Sequence, residues 1–165
     1  MSDSMYQAIM DIIGVSDSSV YAQSDAVSVA ASIVQISPNG AGSRKVLQSS
    51  GPVAVAFNQS PAQQFTTFPV TIAASSDTTS IKIQGDILSL DCSTVPLAAL
   101  DASNHTTLQT LNVNSCGLSA LTVTGCSQLS QVFAAGNSLT SLTLTGTSIQ
   151  HLTISENSLT ASAMD

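Results

Sequence analysis

A chain of 165 residues with 43% apolar side chains is long enough to bury a core, which argues against a disordered polymer. Only Arg44, Lys45 and Lys82 are basic, against ten carboxylates and a formal charge of −7, so nucleic acid and anionic membrane are poor candidates for partners. Charged residues make up 8% of the chain, and hydroxyls and amides must therefore supply most of the surface.

The first segment, MSDSMYQAIMDIIG, carries Asp3 and Asp11 where a secretory signal would carry Lys or Arg, and no small-residue cleavage site follows it. No run approaches the roughly 18 apolar residues needed to cross a bilayer, so membrane insertion is not expected. Ser4 to Gly14 instead reads as a short helix, capped by Ser or Asp and ended by Gly14, with an apolar face that includes Ile12. An isolated helix of this length is unstable in water and has to dock. Met5, Tyr6, Ile9, Met10 and Ile13 are accordingly the candidate attachment residues.

Alternating apolar runs follow at Ala26 to Ile36, Val53 to Phe57 and Phe68 to Ile72, separated by the turn sequences Ser-Pro-Asn-Gly, Ser-Ser-Gly-Pro and Asn-Gln-Ser-Pro. The first of these runs is also compatible with a helix. Residues 1–76 thus read as a capping or attachment segment, a short helix followed by a small β-rich region.

Residues 77–165 contain a repeat. Ile87, Leu90, Cys92, Val95 and Leu97 recur 21 residues later as Leu108, Leu111, Val113, Cys116 and Leu118. They recur again as Leu129, Val132, Ala134, Asn137 and Leu139, and, after a step of 20, as Ile149, Leu152, Ile154, Asn157 and Leu159. A second alternation keeps the same 21-residue period in the pairs Leu100 and Ala102, Leu121 and Val123, Leu142 and Leu144. Four units fit L-x-x-L-x-L-x-x-N/C-x-L without a gap, which identifies a repeat architecture.

The pattern resembles the leucine-rich repeat family, most closely its short bacterial type, over about half of the chain. Val95 and Ala134 depart from the family pattern. The period-two spacing predicts extended runs on both sides of each unit, so the expected fold is mainly β: a leucine-rich-repeat-like β-solenoid of about four coils after the N-terminal segment.

The slot held by Val95, Cys116, Asn137 and Asn157 has a physical role. A sharp turn inside such a stack leaves backbone groups away from water, and each one left unpaired costs on the order of 1–3 kcal/mol. An asparagine amide satisfies them, a thiol fills the space with a weak donor, and Val95 requires some other arrangement.

Three cysteines at spacings of 24 and 10, with two histidines and no Cys-x-x-Cys, argue against a zinc site and allow one disulfide at most. Cys92 aligns with core positions. Cys126 falls at a turn and is the thiol expected to be exposed, if any is. His105 and His151 read as solvated surface residues, lacking the buried acid and oxyanion hole that a catalytic base requires. Carboxylates are too scattered for a calcium-binding roll, and the triplets at Asn58 and Asn104 that match the glycosylation sequon read as ordinary turns. No cofactor and no metal are expected, and the chain is not expected to be an enzyme.

The family resemblance implies binding through the outward face of the ladder. That face would present Gln109, Asn112 and Asn114, then Gln131 and Phe133, then Gln150, His151 and Thr153, with Phe133 as an aromatic anchor. The expected role is a structural or interaction protein of a phage virion: a head decoration, head fibre or tail appendage that contacts capsid or tail proteins as a homo-oligomer or assembly subunit. The alternative is a bacterial surface or secreted adhesion module that binds a cell-surface ligand.

Overall fold

The computed structural model describes residues 32–160, and the helix expected at Ser4 to Gly14, with its attachment residues Met5, Tyr6, Ile9, Met10 and Ile13, lies outside them. Among the described residues there are twelve strands and no helix. They are β1 (Ile33–Pro38), β2 (Gly42–Ser49), β3 (Val53–Phe57), β4 (Gln63–Phe65), β5 (Val70–Ala74), β6 (Ile81–Gln84), β7 (Ile87–Asp91), β8 (Leu97–Asp101), β9 (Thr110–Asn112), β10 (Leu121–Thr122), β11 (Gln131–Phe133) and β12 (His151–Thr153).

The fold is mainly β, built from two mixed sheets of six strands each. One runs β10-β8-β1-β6-β3-β4 and the other β12-β11-β9-β7-β2-β5. Both sheets cross residue 76, because β2 pairs with β7 and β1 pairs with β8. The alternating run at Val53 to Phe57 is β3 itself, whereas the run at Phe68 to Ile72 begins two residues before β5, and the cis peptide Phe68–Pro69 lies in that lead-in. The end of the Ala26 to Ile36 run is extended, as β1.

Alternation explains which faces are inward. Val34 and Ile36 of β1, Val53 and Val55 of β3, and Ile81 and Ile83 of β6 are fully buried, with polar or small residues between them. They share one core with Val46, Ile72, Leu90, Leu111 and Val132 from the other sheet. Burying a valine, leucine or isoleucine contributes about 1.5–3 kcal/mol each, so this shared core is the main stabilising term.

The repeat period appears as register. Leu90 pairs with Leu111, Leu111 with Val132 and Val132 with Leu152, all in parallel. On the other side Leu121 pairs with Leu100, also in parallel, and the ladder then thins to a single bridge between Thr122 and Thr143. The second alternation is buried as its spacing implies, with Leu100, Ala102, Leu121, Val123 and Leu142 all inward. Successive units are tied by forward amides: Cys92 N–H donates to Asn112 C=O, Val113 to Phe133 and Ala134 to Thr153.

Each unit turns through residues with positive φ. Thr94, Ser115, Gly136 and Glu156 occupy one turn, and Asn104, Gly125 and Gly146 the other. Gly125 is required there for two reasons, since its φ is +77° and a Cβ at that point would run into Asn104 Oδ1.

Candidate functional site

The outward side chains of the β7-β9-β11-β12 ladder form two rows. Ser89, Thr110, Gln131 and His151 are neighbours in register in one row, and Asp91, Asn112, Phe133 and Thr153 in the other. Lys45 of β2 is paired with Asp91 and extends the second row across the N-terminal strands. Cross-strand neighbours of this kind lie close enough to interact directly. The Phe133 and His151 rings are in contact, with centroids 5.2 Å apart and planes tilted by 49°.

The structure brings most of the expected contact residues onto this face and gives some of them internal work. Gln109, Gln131, Gln150 and His151 are exposed, while Asn112, Phe133 and Thr153 are partly covered. Asn112 Oδ1 accepts a hydrogen bond from the Asn114 amide at 3.2 Å, and Asn114 Oδ1 accepts one from the Ala135 amide at 2.8 Å. Both asparagine oxygens thus help to hold turns and ladder. Gln109, Gln131, Gln150 and Phe133 form the part of the set with no side-chain hydrogen bond among the described residues, and His151 Nε2 lies 3.4 Å from Thr153 Oγ1.

Behind the ladder lies a buried polar column. Asn137 Oδ1 accepts from the Cys116 and Leu118 amides at 3.1 and 3.0 Å, and its Nδ2 donates to the carbonyls of Val113, Ala134 and Ala135 at 2.8, 3.0 and 3.3 Å. Asn157 repeats the pattern one unit on, accepting from Leu139 and donating to Ala134, Ile154 and Ser155. Cys116 fills the same slot with its thiol directed at the Cys92 carbonyl, 3.0 Å away.

Val95 cannot take part, and Arg44 lies at that end of the column. It points inward from β2, is fully buried, and donates from its two terminal nitrogens to the carbonyls of Gly42 at 2.9 Å and Pro96 at 3.4 Å. Its Nε has no partner among the described residues. Burial pulls the guanidinium below its ordinary pKa, opposed by the neighbouring thiols Cys92 and Cys116. The sequence reading missed this residue, and the departure at Val95 was the one available signal.

Two expectations need correction. Cys126, singled out as the thiol to be exposed if any were, is fully buried and donates to the Ala102 carbonyl at 2.9 Å, because the next unit covers its turn. Burial pushes the pKa of all three unpaired cysteines up, away from reactivity. His105, expected at the solvated surface, is also fully buried, with burial lowering its pKa below the ordinary value. His151 is exposed, as expected.

Asn58 acts as a clamp: its Oδ1 accepts from the amides of Thr79 and Ser80 at 2.8 and 3.2 Å. Among the described residues no cluster of three His, Cys, Asp or Glu side chains could hold a metal ion, and no helix is long and apolar enough to cross a membrane. Comparison of the chain with protein-family models, curated proteins and solved structures finds no match.

Proposed function

We propose that the chain is a non-catalytic structural and interaction protein, a leucine-rich-repeat-like β-solenoid that serves as a subunit of a larger protein assembly, with a phage virion as its setting. Head decoration, head fibre and tail appendage are the roles that fit, and capsid or tail proteins are the partners.

The observation that carries this reading is the change along the repeat. The inward residues Leu90, Leu111 and Val132 are fully buried, while the matching Leu152 is half-covered, as are Ile149, Ile154 and Leu159. The forward amides of Ile154 and Glu156 correspond to those of Ala134 and Gly136, which donate to the next unit. Among the described residues β12 therefore presents an edge of the kind that accepts a further strand.

Strand polarity adds a geometric argument for self-association. β5 is antiparallel to β2, which is antiparallel to β7, so β5 runs in the same direction as β12. The same counting makes β4 and β10 co-directional in the other sheet. A second copy added head to tail continues both sheets with parallel pairing, and such heterologous contacts build rings or fibres.

Light scattering on the purified chain together with co-sedimentation with intact capsids is the test. A mass above that of the monomer that falls on Ile154→Lys substitution, with the far-ultraviolet β signal unchanged, supports the reading. A monodisperse monomer that does not sediment with capsids refutes it.

The contact of Phe133 with His151 on the outward face favours a second reading, a bacterial surface or secreted adhesion module. In that case Phe133→Ala abolishes binding to cells and leaves the solution mass unchanged.

A further inference from the structure

His105 stands in a column of turn residues followed by Cys126 and Thr147, each 21 residues on. Cys126 donates to the Ala102 carbonyl, and Thr147 Oγ1 donates to the Leu144 carbonyl at 2.6 Å. His105 fills the position where the first repeat unit meets the turn between β6 and β7. Its backbone amide donates to Ala102 C=O at 3.1 Å, and its own carbonyl accepts from the Leu108 amide at 3.3 Å. On the ring, Nδ1 is 3.4 Å from Thr107 Oγ1, and that hydroxyl donates to the Ile87 carbonyl at 3.2 Å. The ring, the hydroxyl and the start of β7 thus form one short chain of contacts. Nε2 is buried and has no partner among the described residues.

We propose that His105 is an acid-sensitive latch at the seam between the β6–β7 turn and the first repeat unit, closed while the ring is neutral and loosened when it is protonated. The neutral ring uses Nδ1 as its donor to Thr107 and leaves Nε2 as a bare lone pair, which an enclosed site tolerates. The protonated ring carries a second N–H and a full charge in a fully buried site, where the Gly85 carbonyl and Asp86 offset only part of the lost hydration. Local opening of the turn is the simplest relief.

The charged group facing the ring is Asp86 from the β6–β7 turn, while the Cys126 thiol of the next unit lies against the backbone of His105. Asp86 and the carbonyls of Gly85 and His105 itself favour the charged form, and burial outweighs them, so the pKa lies below the ordinary 6.5. The direction of the pH effect follows. With the native value depressed, the unfolded or opened state binds the proton better, so stability is complete above about pH 6.5 and falls as the pH drops from there towards the native value. Across that interval the closing equilibrium weakens by up to about tenfold per pH unit.

Thermal melting between pH 8 and pH 5 of the native chain and of His105→Cys, which takes the residue of the next unit in the same column, tests the latch. The native chain should lose stability below pH 6.5 relative to the variant; parallel curves would overturn the proposal. Should the variant not fold, proton NMR titration of the two imidazoles in the native chain decides. His105 should titrate below the ordinary 6.5, and titration at or above that value would overturn the latch.

Discussion

Each repeat unit turns twice, and the two turns meet the same requirement with different chemistry. At the turn after the β7-β9-β11-β12 ladder the occupants are Val95, Cys116, Asn137 and Asn157, and the asparagines bind three backbone carbonyls and one or two amides apiece. At the opposite turn the occupants are His105, Cys126 and Thr147, and each of the last two makes one hydrogen bond to a carbonyl. The first turn is held by multivalent amides and the second by single donors in a closely filled space. Specificity of register should therefore reside in the first turn and tolerance of substitution in the second.

Removing Asn137 should break that asymmetry most severely. Asn137→Ala leaves the Cys116 and Leu118 amides and the Val113 carbonyl without their partner in a site that is 8% exposed. The expected loss is about 3–4 kcal/mol, several orphaned buried groups at roughly 1–3 kcal/mol each with partial relaxation. Asn157→Ala should cost about 1–2 kcal/mol, because that side chain is half-covered and water replaces part of what is lost. Urea unfolding of both variants measures the difference, and equal losses would contradict the account of the column.

Arg44 allows a sharper test, since its two carbonyl contacts at the Val95 end lie where the asparagine pattern is interrupted. Arg44→Met removes a buried charge whose Nε is unpaired, and also the donors to Gly42 and Pro96. These effects oppose one another, and a net loss of about 1–2 kcal/mol is expected. Adding Val95→Asn to that variant should recover stability, because an amide then occupies the slot it holds in later units. Additive losses in the double-mutant cycle would show that Arg44 and residue 95 do not share this task.

The legibility of these features in the sequence divides along the same line. The 21-residue period reports inward positions directly, so the ladder register, the burial of Leu111 and Val132 and the role of Asn137 could be read before any coordinates. β3 was readable because VAVAF alternates cleanly. β2 was not, because two residues break its alternation: Arg44 points inward on the same face as Val46, and Leu47, at 41% exposure, points out. Alternation of polarity cannot place a strand whose inward residue is a cation. His105 and Cys126 were misplaced for another reason, since a turn residue in a stacked repeat is covered by the following unit, a contact that local sequence does not record.

The smallest expected effect concerns the second turn. Cys126→Ala removes one thiol contact to the Ala102 carbonyl, which still accepts from the His105 amide, and little volume, so it should cost about 0.5–1 kcal/mol. A reagent that reacts with thiolates should label Cys92, Cys116 and Cys126 slowly in the native state, since all three are buried with raised pKa. Labelling should then proceed through opening of the structure, and the three rates should converge under destabilising urea. Rapid labelling of Cys126 alone at neutral pH would mean that its turn is uncovered in solution, which would also remove the enclosure on which the neutral state of His105 depends.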